Sequence, residues 1–389
     1  MIAKDGGVVV VGPAPPLRGG IAAHTARLVE ALRLSGHAAR VFSYRRLYPS
    51  AGFPGRSQRL VAAAADWNEE ILDALAPSSW AALRRRLAQI GDATVVLQWW
   101  HPVVAPALLA ATRDLERHRL VAVCHNVFPH EAFPGATLAA RFLLGRCGRI
   151  VCHSNAQARE VKKLLGDRPS EIVSVALPPL VPIATLLDAR RERPGADLPR
   201  ELEGLPVGAR LVVAMGHART YKALDVLVSA WSSARRPAGA RLLLVGESYL
   251  RGGARRRLAS RTAVDPSIVI VDRYVEDAEL VSILARSEVV VAAYRRASQS
   301  GILPIAKALG VATVISDAGG LAEQDPDARV VKAGDAVDLA RVLGELLARD
   351  AGGGPVRRDD PGQVSRGMEA AFLRDWRLVV EAIVGVSRP

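Results

Sequence analysis

The chain has 389 residues, of which 50% are hydrophobic and 23% are charged, so two or three domains with buried cores are expected. No apolar run approaches the roughly 20 residues that a membrane helix needs, and Val8–Val11 is too short for a signal-peptide core. These features exclude a spanning protein and predict a cytoplasmic one.

The net charge of +13 arises mostly from arginine. Several arginines are clustered, as in Arg84–Arg86, Arg190–Arg193 and Arg251–Arg261. Solvated helix faces account for most such clusters, and attraction to a phosphate-bearing substrate or an anionic membrane is the alternative. The second reading would add peripheral contact with the inner face of the membrane. Nucleic acid is disfavoured because no aromatic residues are interleaved with the arginines and no nucleic-acid-binding motif appears.

Short β-branched runs alternate with stretches of helical periodicity in the first half of the chain. This alternation is typical of parallel βαβ units. The predicted strands are Val8–Gly12, Ala39–Tyr44, Thr94–Trp99, Leu120–His125, Arg149–His153 and Ile172–Leu177. We therefore predict a doubly wound, Rossmann-like domain over residues 1–180.

A segment rich in proline and charge, residues 181–206, predicts an interdomain linker. The strands predicted after it are Arg210–Gly216, Arg241–Gly246, Ile268–Tyr274, Glu288–Tyr294, Ala312–Ser316 and Arg329–Lys332. They indicate a second Rossmann-like domain over residues 207–365, facing the first across a cleft. Residues 366–389 predict an amphipathic helix that returns to the first domain, with packing on the second domain as the alternative.

A glycine-rich loop joins the first predicted strand to the first helix. Gly19 and Gly20 let the backbone approach an anion, and the positive end of the helix favours a phosphate. A tight turn without a ligand is the alternative. The loop is neither GxGxxG nor a Walker loop, which disfavours an ordinary dehydrogenase or P-loop enzyme.

A second segment of this type follows the strand that ends at Tyr294. Its residues are Ser298, Gln299, Ser300, Gly301 and Ile302. Backbone donors there suit a diphosphate, and the side chains of Ser298 and Gln299 can bond sugar hydroxyls. Simple N-capping by serine is the alternative.

Two cations and one histidine are the candidate catalytic residues. Arg219 and Lys222 are three apart in a loop that enters a helix, where fixed positive charge can neutralise a departing diphosphate. Surface charge is the alternative. His125 ends a strand and is expected at the carboxyl edge of the sheet, although a lone histidine is more often structural.

The acceptor-side candidates are weaker. Trp99, Trp100 and His101 end another predicted strand and suggest an aromatic wall for an acceptor, with a buried cluster as the alternative. His130 is added because it follows His125 in the same loop. No metal site is predicted, because the three cysteines show no ligand spacing and are expected to be reduced, buried thiols.

Taken together, these segments resemble the retaining GT-B glycosyltransferases of the glycosyl transferases group 1 family, or family 4. The marks are Gly19-Gly20, Arg219 and Lys222 in "RTYKALD", and "YRRASQSGILPIAKALGVATVISDAGGLAE" from Tyr294 to Glu323. The resemblance covers nearly the whole chain. Two further segments, "FSYRRLYPSAGFPG" and "LQWWHPVVAPAL", resemble a bacterial subgroup.

The resemblance implies an α/β GT-B fold, a nucleotide-diphosphate sugar as donor, and retention of anomeric configuration. It implies no obligatory metal and no cofactor besides that co-substrate. By analogy, His125 lies beside the donor sugar, and Tyr274 and Val275 contact the base. The groups implied for the diphosphate are Arg219, Lys222 and the backbone at Gly19, Gly20, Gly301 and Ile302.

The sequence departs from the family pattern at two places. Many relatives carry two glutamates eight apart at the last phosphate segment, and neither acid is present here. Ala306 therefore leaves the usual ribose contact unassigned, which we read as variant donor binding. Ala223 stands where relatives often have glycine.

The leading hypothesis is transfer of a hexose-type sugar to a hydroxyl of a glycan, a lipid-linked glycan or a small molecule. The main alternative is a degenerate GT-B protein that binds a nucleotide or a partner without catalysis. A two-domain binder of the periplasmic type is disfavoured by the pair of phosphate-type loops. A GT-B epimerase or phosphorylase would need acids or a lysine-bound cofactor that the sequence does not offer. The donor sugar, base, acceptor, pathway and oligomeric state stay open at this point.

Overall fold

The computed structural model describes residues 7–48, 55–61, 65–191, 198–206, 208–348 and 361–385. The chain forms two compact units. The first comprises Met1–Leu180 together with Leu373–Pro389, and the second comprises Val181–Phe372.

The first unit is built on a seven-stranded parallel sheet. Its strands are β1 (Val8–Val11), β2 (Ala39–Arg46), β3 (Asn68–Asp73), β4 (Thr94–Trp99), β5 (Leu120–Cys124), β6 (Arg149–Cys152) and β7 (Glu171–Ser174). Its helices are α1 (Gly20–Leu34), α2 (Pro77–Leu87), α3 (Ala105–Thr112), α4 (Ala136–Arg146) and α5 (Asn155–Leu165). The strand order is β3-β2-β1-β4-β5-β6-β7. Successive strands are added outward from β1 on one side and outward from β4 on the other, so the switch point of this doubly wound fold lies between β1 and β4.

Strand β3 was not predicted, because its sequence NEEILD has little of the β-branched character of the other strands. It is an edge strand that pairs with β2. Arginines neutralise its acids: Arg59 holds Glu70 at 2.6 Å and Arg86 holds Glu69 at 2.5 Å. These ion pairs join the strand to arginines elsewhere in the chain, and the strand propensity of the sequence NEEILD contains no information about them.

The second unit is built on a six-stranded parallel sheet. Its strands are β8 (Arg210–Met215), β9 (Ala240–Val245), β10 (Ile268–Val271), β11 (Val289–Ala292), β12 (Ala312–Ser316) and β13 (Arg329–Val331). Its helices are α6 (Ile183–Arg191), α7 (Leu224–Ser233), α8 (Gly252–Ala263), α9 (Asp277–Arg286), α10 (Leu303–Leu309), α11 (Leu321–Gln324) and α12 (Ala336–Leu347). The order β10-β9-β8-β11-β12-β13 is again doubly wound, with its switch point between β8 and β11.

The predicted linker is more ordered than expected. Residues 183–191 form α6, which packs against α9 and α10 inside the second unit. Arg190 donates to the carbonyl of Ala308 at 3.4 Å, and Glu201 forms an ion pair with Arg273 at 3.0 Å. The prolines that suggested a linker therefore precede a helix, and residues 192–197 lie outside the described part of the chain.

The last helix, α13, runs over Pro361–Val384, and the chain from Leu373 onward belongs to the first unit. Trp376 is 2% exposed, and its indole N–H donates to the carbonyl of Pro179 at 3.2 Å. This large apolar side chain places the end of the helix on the first unit.

Both sheets have buried faces on either side. Strand β1, with the sequence VVVV, is buried at every residue, as expected for a central strand of a parallel sheet. Cys124, Cys147 and Cys152 are free and buried, as expected from their spacing. Among the described residues, no helix combines the length and apolar character needed to cross a membrane.

Candidate functional site

The second unit contains a cavity of about 190 Å³ at the carboxyl ends of four neighbouring strands. Residues that end or follow β8, β9, β10 and β11 line it. They include Gly216, Gly246, Asp272 and Tyr294, with Lys222 from the loop after β8. In open α/β sheets, ligands bind at this edge and next to the switch point.

Two glycines let the first two of these loops touch. Gly216 and Gly246 have positive φ angles of 99° and 127°. A Cβ on Gly246 would lie 2.6 Å from the carbonyl oxygen of Gly216, so a larger residue would push the loops apart. The result is exposed backbone next to the cavity, which is the arrangement that a phosphate group can approach.

Lys222 turns back towards the strand that precedes it. Its Nζ donates to the carbonyl oxygen of Met215 at 3.1 Å and lies 5.5 Å from the ring centre of Tyr294. Burial lowers the pKa of this lysine, and the neighbouring Arg219 lowers it further. A desolvated cation in a cavity favours an anionic ligand.

Arg219 is not among the residues that line this cavity; it precedes Lys222 in the same loop and stacks on Tyr249. Its guanidinium carbon is 4.7 Å from the ring centre, and His217 stacks on the same ring at 4.5 Å between centroids. The two predicted cations therefore belong to one loop after β8, and both are positioned by tyrosine rings.

Ala223 closes this loop in a left-handed conformation, with φ 54° and ψ 36°. It is the one non-glycine residue with positive φ among the described residues. Because only glycine adopts this conformation without strain, the departure from the family's glycine is a strained alanine that ends the loop before α7.

Three polar residues that line the cavity, Ser248, Arg255 and Asp272, were not predicted from the sequence. The side chain of Asp272 accepts from the backbone N–H of Ser248 at 2.8 Å, and Arg255 approaches the same carboxylate at 3.8 Å. The signal available in the sequence was positional, because Asp272 directly follows β10 as Gly246 follows β9. These groups add polar atoms to a cavity whose walls are otherwise rich in leucine.

The segment from Ser298 to Ile302 is fixed by its neighbours. The side-chain oxygen of Gln324 accepts from the backbone N–H of Ser300 at 2.7 Å, and Ser300 Oγ bonds the hydroxyl of Tyr294 at 3.2 Å. Because these bonds occupy the backbone N–H and the hydroxyl of Ser300, this residue holds the loop in place and does not offer a free donor to a ligand.

The same segment carries an unpaired acceptor. The Oε1 atom of Gln299 is buried and has no hydrogen-bond partner, whereas Ser298 is partly exposed. Gly301 and Ile302, the two predicted phosphate donors, form a turn before the short helix α10. The helix itself begins at the next residue, Leu303. Ala306 is fully buried in α10.

Tyr274 and Val275 lie in the loop between β10 and α9 rather than after a longer strand. Arg273 organises this loop by pairing with Glu279 at 2.7 Å and by donating to the carbonyl of Tyr274 at 3.2 Å. Tyr274 is partly exposed and Val275 is 8% exposed.

In the first unit, the predicted glycine loop precedes α1 as expected. Gly19 is the N-cap, and its φ of 114° is a conformation that other residues rarely adopt. Gly20 is the first residue of the helix. The first intrahelical bond of α1 is from Ala23 N–H to the Gly19 carbonyl at 3.1 Å, so the preceding N–H groups are those that a helix leaves for a ligand.

His125 follows β5 and lies in a cluster of three buried histidines. His24 from α1 and His153 after β6 complete it, with centroid distances to His24 of 4.7 Å from His125 and 5.2 Å from His153. Burial is the main cause that lowers the pKa of all three, to about 4 for His153. Burial therefore favours the neutral form of all three imidazoles. His24 and His153 were missed, although His153 ends its strand as His125 does.

The acceptor-side residues divide into two groups. Trp99 is fully buried and Trp100 is 8% exposed, which matches the buried-cluster alternative. Residues His101 and His130 are partly exposed, and His101 packs edge-on against Phe133 with centroids 4.9 Å apart.

Comparisons with known proteins agree with this architecture. Residues 18–176 match the family model described as Glycosyltransferase Family 4, and residues 209–349 match the model described as Glycosyl transferases group 1. The chain is a GT-B glycosyltransferase. Among curated protein sequences, none matches this glycosyltransferase.

Several solved structures share the fold at low sequence identity. A trehalose-6-phosphate structure from E. coli, bound with UDP-2-fluoro glucose, has a TM-score of 0.69 at 12% identity, covering 97% of this chain and 99% of that one. Sucrose-phosphate synthase from Thermosynechococcus elongatus has a TM-score of 0.67 at 15% identity, covering 96% and 97%. HepE from Anabaena, in complex with UDP and glucose, has a TM-score of 0.65 at 15% identity, covering 96% and 98%.

Proposed function

We propose that this glycosyltransferase moves a hexose-type sugar from a nucleotide-diphosphate sugar to a hydroxyl group, with retention of anomeric configuration. The observation that carries the proposal is the cavity at the β8–β11 switch point, which combines touching glycine loops with the desolvated ammonium of Lys222. Such a site suits a phosphate-bearing ligand.

The volume of the cavity suits a part of the donor, such as its diphosphate, rather than the whole molecule. Its volume of about 190 Å³ is below the roughly 300–1,000 Å³ of pockets that enclose a whole drug-sized ligand. In this proposal, the diphosphate lies against Lys222 and Arg219, and Tyr274 and Val275 contact the base. The unpaired Oε1 atom of Gln299 then accepts from a donor hydroxyl.

The chemistry requires no protein nucleophile. The bond between the anomeric carbon and the diphosphate oxygen breaks, and the acceptor oxygen bonds to the same carbon on the same face. The acceptor's proton passes to the departing diphosphate. Arg219 and Lys222 stabilise the negative charge that this leaving group develops, and His125 lies beside the sugar.

A double variant, Arg219→Ala with Lys222→Ala, tests these roles. Because the two cations act on charge that grows in the transition state, we expect kcat to fall by about 10² or more, with a smaller change in the donor KM. UDP-glucose is the first donor to try, followed by other nucleotide sugars, with release of free sugar as the readout. Full turnover by the double variant would contradict the assignment.

The same assay separates catalysis from binding alone. The two missing glutamates, and the buried Ala306, are the features that favour a degenerate protein. Stabilisation of the wild type by nucleoside diphosphates, measured as a rise in Tm, reports binding of the base and diphosphate. Binding without turnover of any nucleotide sugar would support the degenerate alternative.

We further propose that the acceptor is lipid-linked and that the protein binds an anionic membrane from the cytoplasmic side. Helix α4 exposes Leu138 and Phe142, one turn apart, to 61% and 57%, and Arg141 between them is exposed. Apolar residues beside positive charge suit the surface of an anionic membrane.

Co-sedimentation with vesicles of anionic lipid tests this second proposal. We expect binding at low salt that weakens at moderate salt, and a loss of at least half of it in Leu138→Ser with Phe142→Ser. Val337→Ser is the matched control, because Val337 is 81% exposed on the second unit. A wild type that stays in the supernatant at both salt concentrations would contradict membrane binding.

A further inference from the structure

Gln98 joins two members of the histidine cluster. It is fully buried in β4, which pairs with β1 on one side and with β5, the strand that precedes His125, on the other. Its Oε1 atom lies 2.5 Å from Nε2 of His125, and its Nε2 atom lies 3.4 Å from Nδ1 of His24. A single amide thus bridges helix α1 and the residue after β5.

An amide has one accepting end and one donating end, so the two imidazoles must take opposite roles towards it. The oxygen faces His125, whose Nε2–H therefore donates. The amide nitrogen faces His24, whose Nδ1 therefore accepts. Burial favours the neutral form of both rings. In a neutral His125 whose Nε2 carries the proton, only Nδ1 keeps a lone pair.

The position of Gln98 is fixed by its surroundings. A Cβ on Gly12 would lie 2.4 Å from Cγ of Gln98, so the side chain occupies space that only a glycine leaves open. The backbone N–H of His125 donates to the carbonyl of Trp99 at 2.8 Å, which aligns the end of β5 with the end of β4. His24 is held in turn by the ring of Trp376, 5.4 Å away.

We propose that Gln98 and His24 are positioning residues that hold His125 as its neutral Nε2–H tautomer. His125 then offers a substrate hydroxyl an acceptor, Nδ1, and no donor. If the amide were reversed, His125 would accept at Nε2 and offer Nδ1–H instead. The orientation of one buried amide therefore decides whether His125 accepts or donates, a role that rests on the proposed contact between His125 and the donor sugar.

Nitrogen NMR of the full-length protein labelled with ¹⁵N-histidine tests the tautomer without any assay of activity. Correlations between ring nitrogens and ring protons distinguish the two neutral tautomers, and a His125→Gln variant assigns the signal. We expect the Nε2–H form for His125 in the wild type. In Gln98→Met, which keeps the length of the side chain but removes both polar ends, we expect a mixture of tautomers.

Kinetics supplies the second readout. Gln98→Met should lower kcat/KM for the nucleotide sugar about ten-fold or more, whereas affinity for the nucleoside diphosphate, which lacks the sugar, should stay within about two-fold. Gln157→Leu is the matched control, because this buried glutamine bonds the backbone of His153 and makes no hydrogen bond to His125. It should leave the His125 signal unchanged.

Two results would overturn the proposal. One is an Nδ1–H tautomer or an imidazolium for His125 in the wild type. The other is a Gln98→Met protein whose His125 signal and sugar turnover both match the wild type. The expected tautomer in a protein that turns over no nucleotide sugar would contradict the proposed function, while the positioning by Gln98 holds.

Discussion

Lys222 carries its charge at a place where burial opposes charge. Desolvation lowers its pKa, so the charged form is destabilised in the folded state relative to the unfolded one. This cost is present in full below the folded-state pKa and disappears as the pH rises towards the ordinary value. A diphosphate that binds beside this ammonium offsets the cost. The charged form of Lys222 is therefore more stable in the ligand-bound protein than in the empty one.

The variant Lys222→Met separates these two effects. Without ligand, we expect its Tm to equal or exceed that of the wild type, because the desolvated charge is gone and an apolar chain of similar length is kept. The rise in Tm caused by a nucleoside diphosphate should largely disappear. Lys307→Met, which removes an exposed lysine of the same unit, should retain the full rise. A normal ligand-induced shift in Lys222→Met would contradict the assigned contact.

At the scale of elements, glycine decides how closely loops approach. Gly319 follows β12 with φ 59°, and a Cβ there would lie 1.7 Å from the carbonyl oxygen of Ala297. The loop that carries Ser298 and Gln299 therefore rests directly on the backbone after β12. The sequence "DAGG" belongs to the family resemblance, and this contact is the physical reason for one of its glycines.

Comparing Gly319→Ala with Gly334→Ala measures that contact. Both residues have positive φ, so both variants pay the strain of a left-handed alanine, about 1 kcal/mol. Gly334 has no atom within 4 Å of its added Cβ, whereas Gly319 has backbone in the way. We expect Gly319→Ala to lose at least about 2 kcal/mol more in urea unfolding and to raise the donor KM. Equal losses would show that the loop yields freely.

The molecule as a whole should lose stability in acid because of its buried histidines. His24, His125 and His153 have pKa values lowered by burial, so below the ordinary value of 6.5 the unfolded chain binds protons that the folded chain does not. Stability therefore falls as the pH decreases. Each such histidine contributes about 1.4 kcal/mol per pH unit within its window.

For His153 the window extends from about pH 6.5 down to about pH 4. Replacing it by glutamine should make the curve of unfolding free energy against pH shallower by about 1.4 kcal/mol per unit between those limits. Urea unfolding at several pH values gives the slope. His118→Gln is the control, because the side chain of His118 is 73% exposed and lies outside the buried histidine cluster. An unchanged slope in His153→Gln would refute the linkage.

Much of the fold was predictable because its signals are local. Buried valine runs such as β1 alternate with helices, which fixes a parallel α/β architecture. The glycines before α1 and the large apolar Trp376 in the last helix were also readable from the chain. Strand β3 and helix α6 were not predictable in this way. The acidic residues of β3 resemble loop sequence, because their pairing with distant arginines is invisible in the chain. The prolines before α6 also resemble loop sequence.

The sequence by itself determined the family, the two sheets and the loops that carry Gly19, Arg219, Lys222 and His125. Only the tertiary structure showed that Gln98 links His24 to His125, that Asp272 and Arg255 line the cavity with Lys222, and that Trp99 is buried. The physical reason is that these contacts join side chains from separate strands and helices at one edge of a sheet. Distance along the chain carries no record of them, since strand order and burial decide which side chains meet.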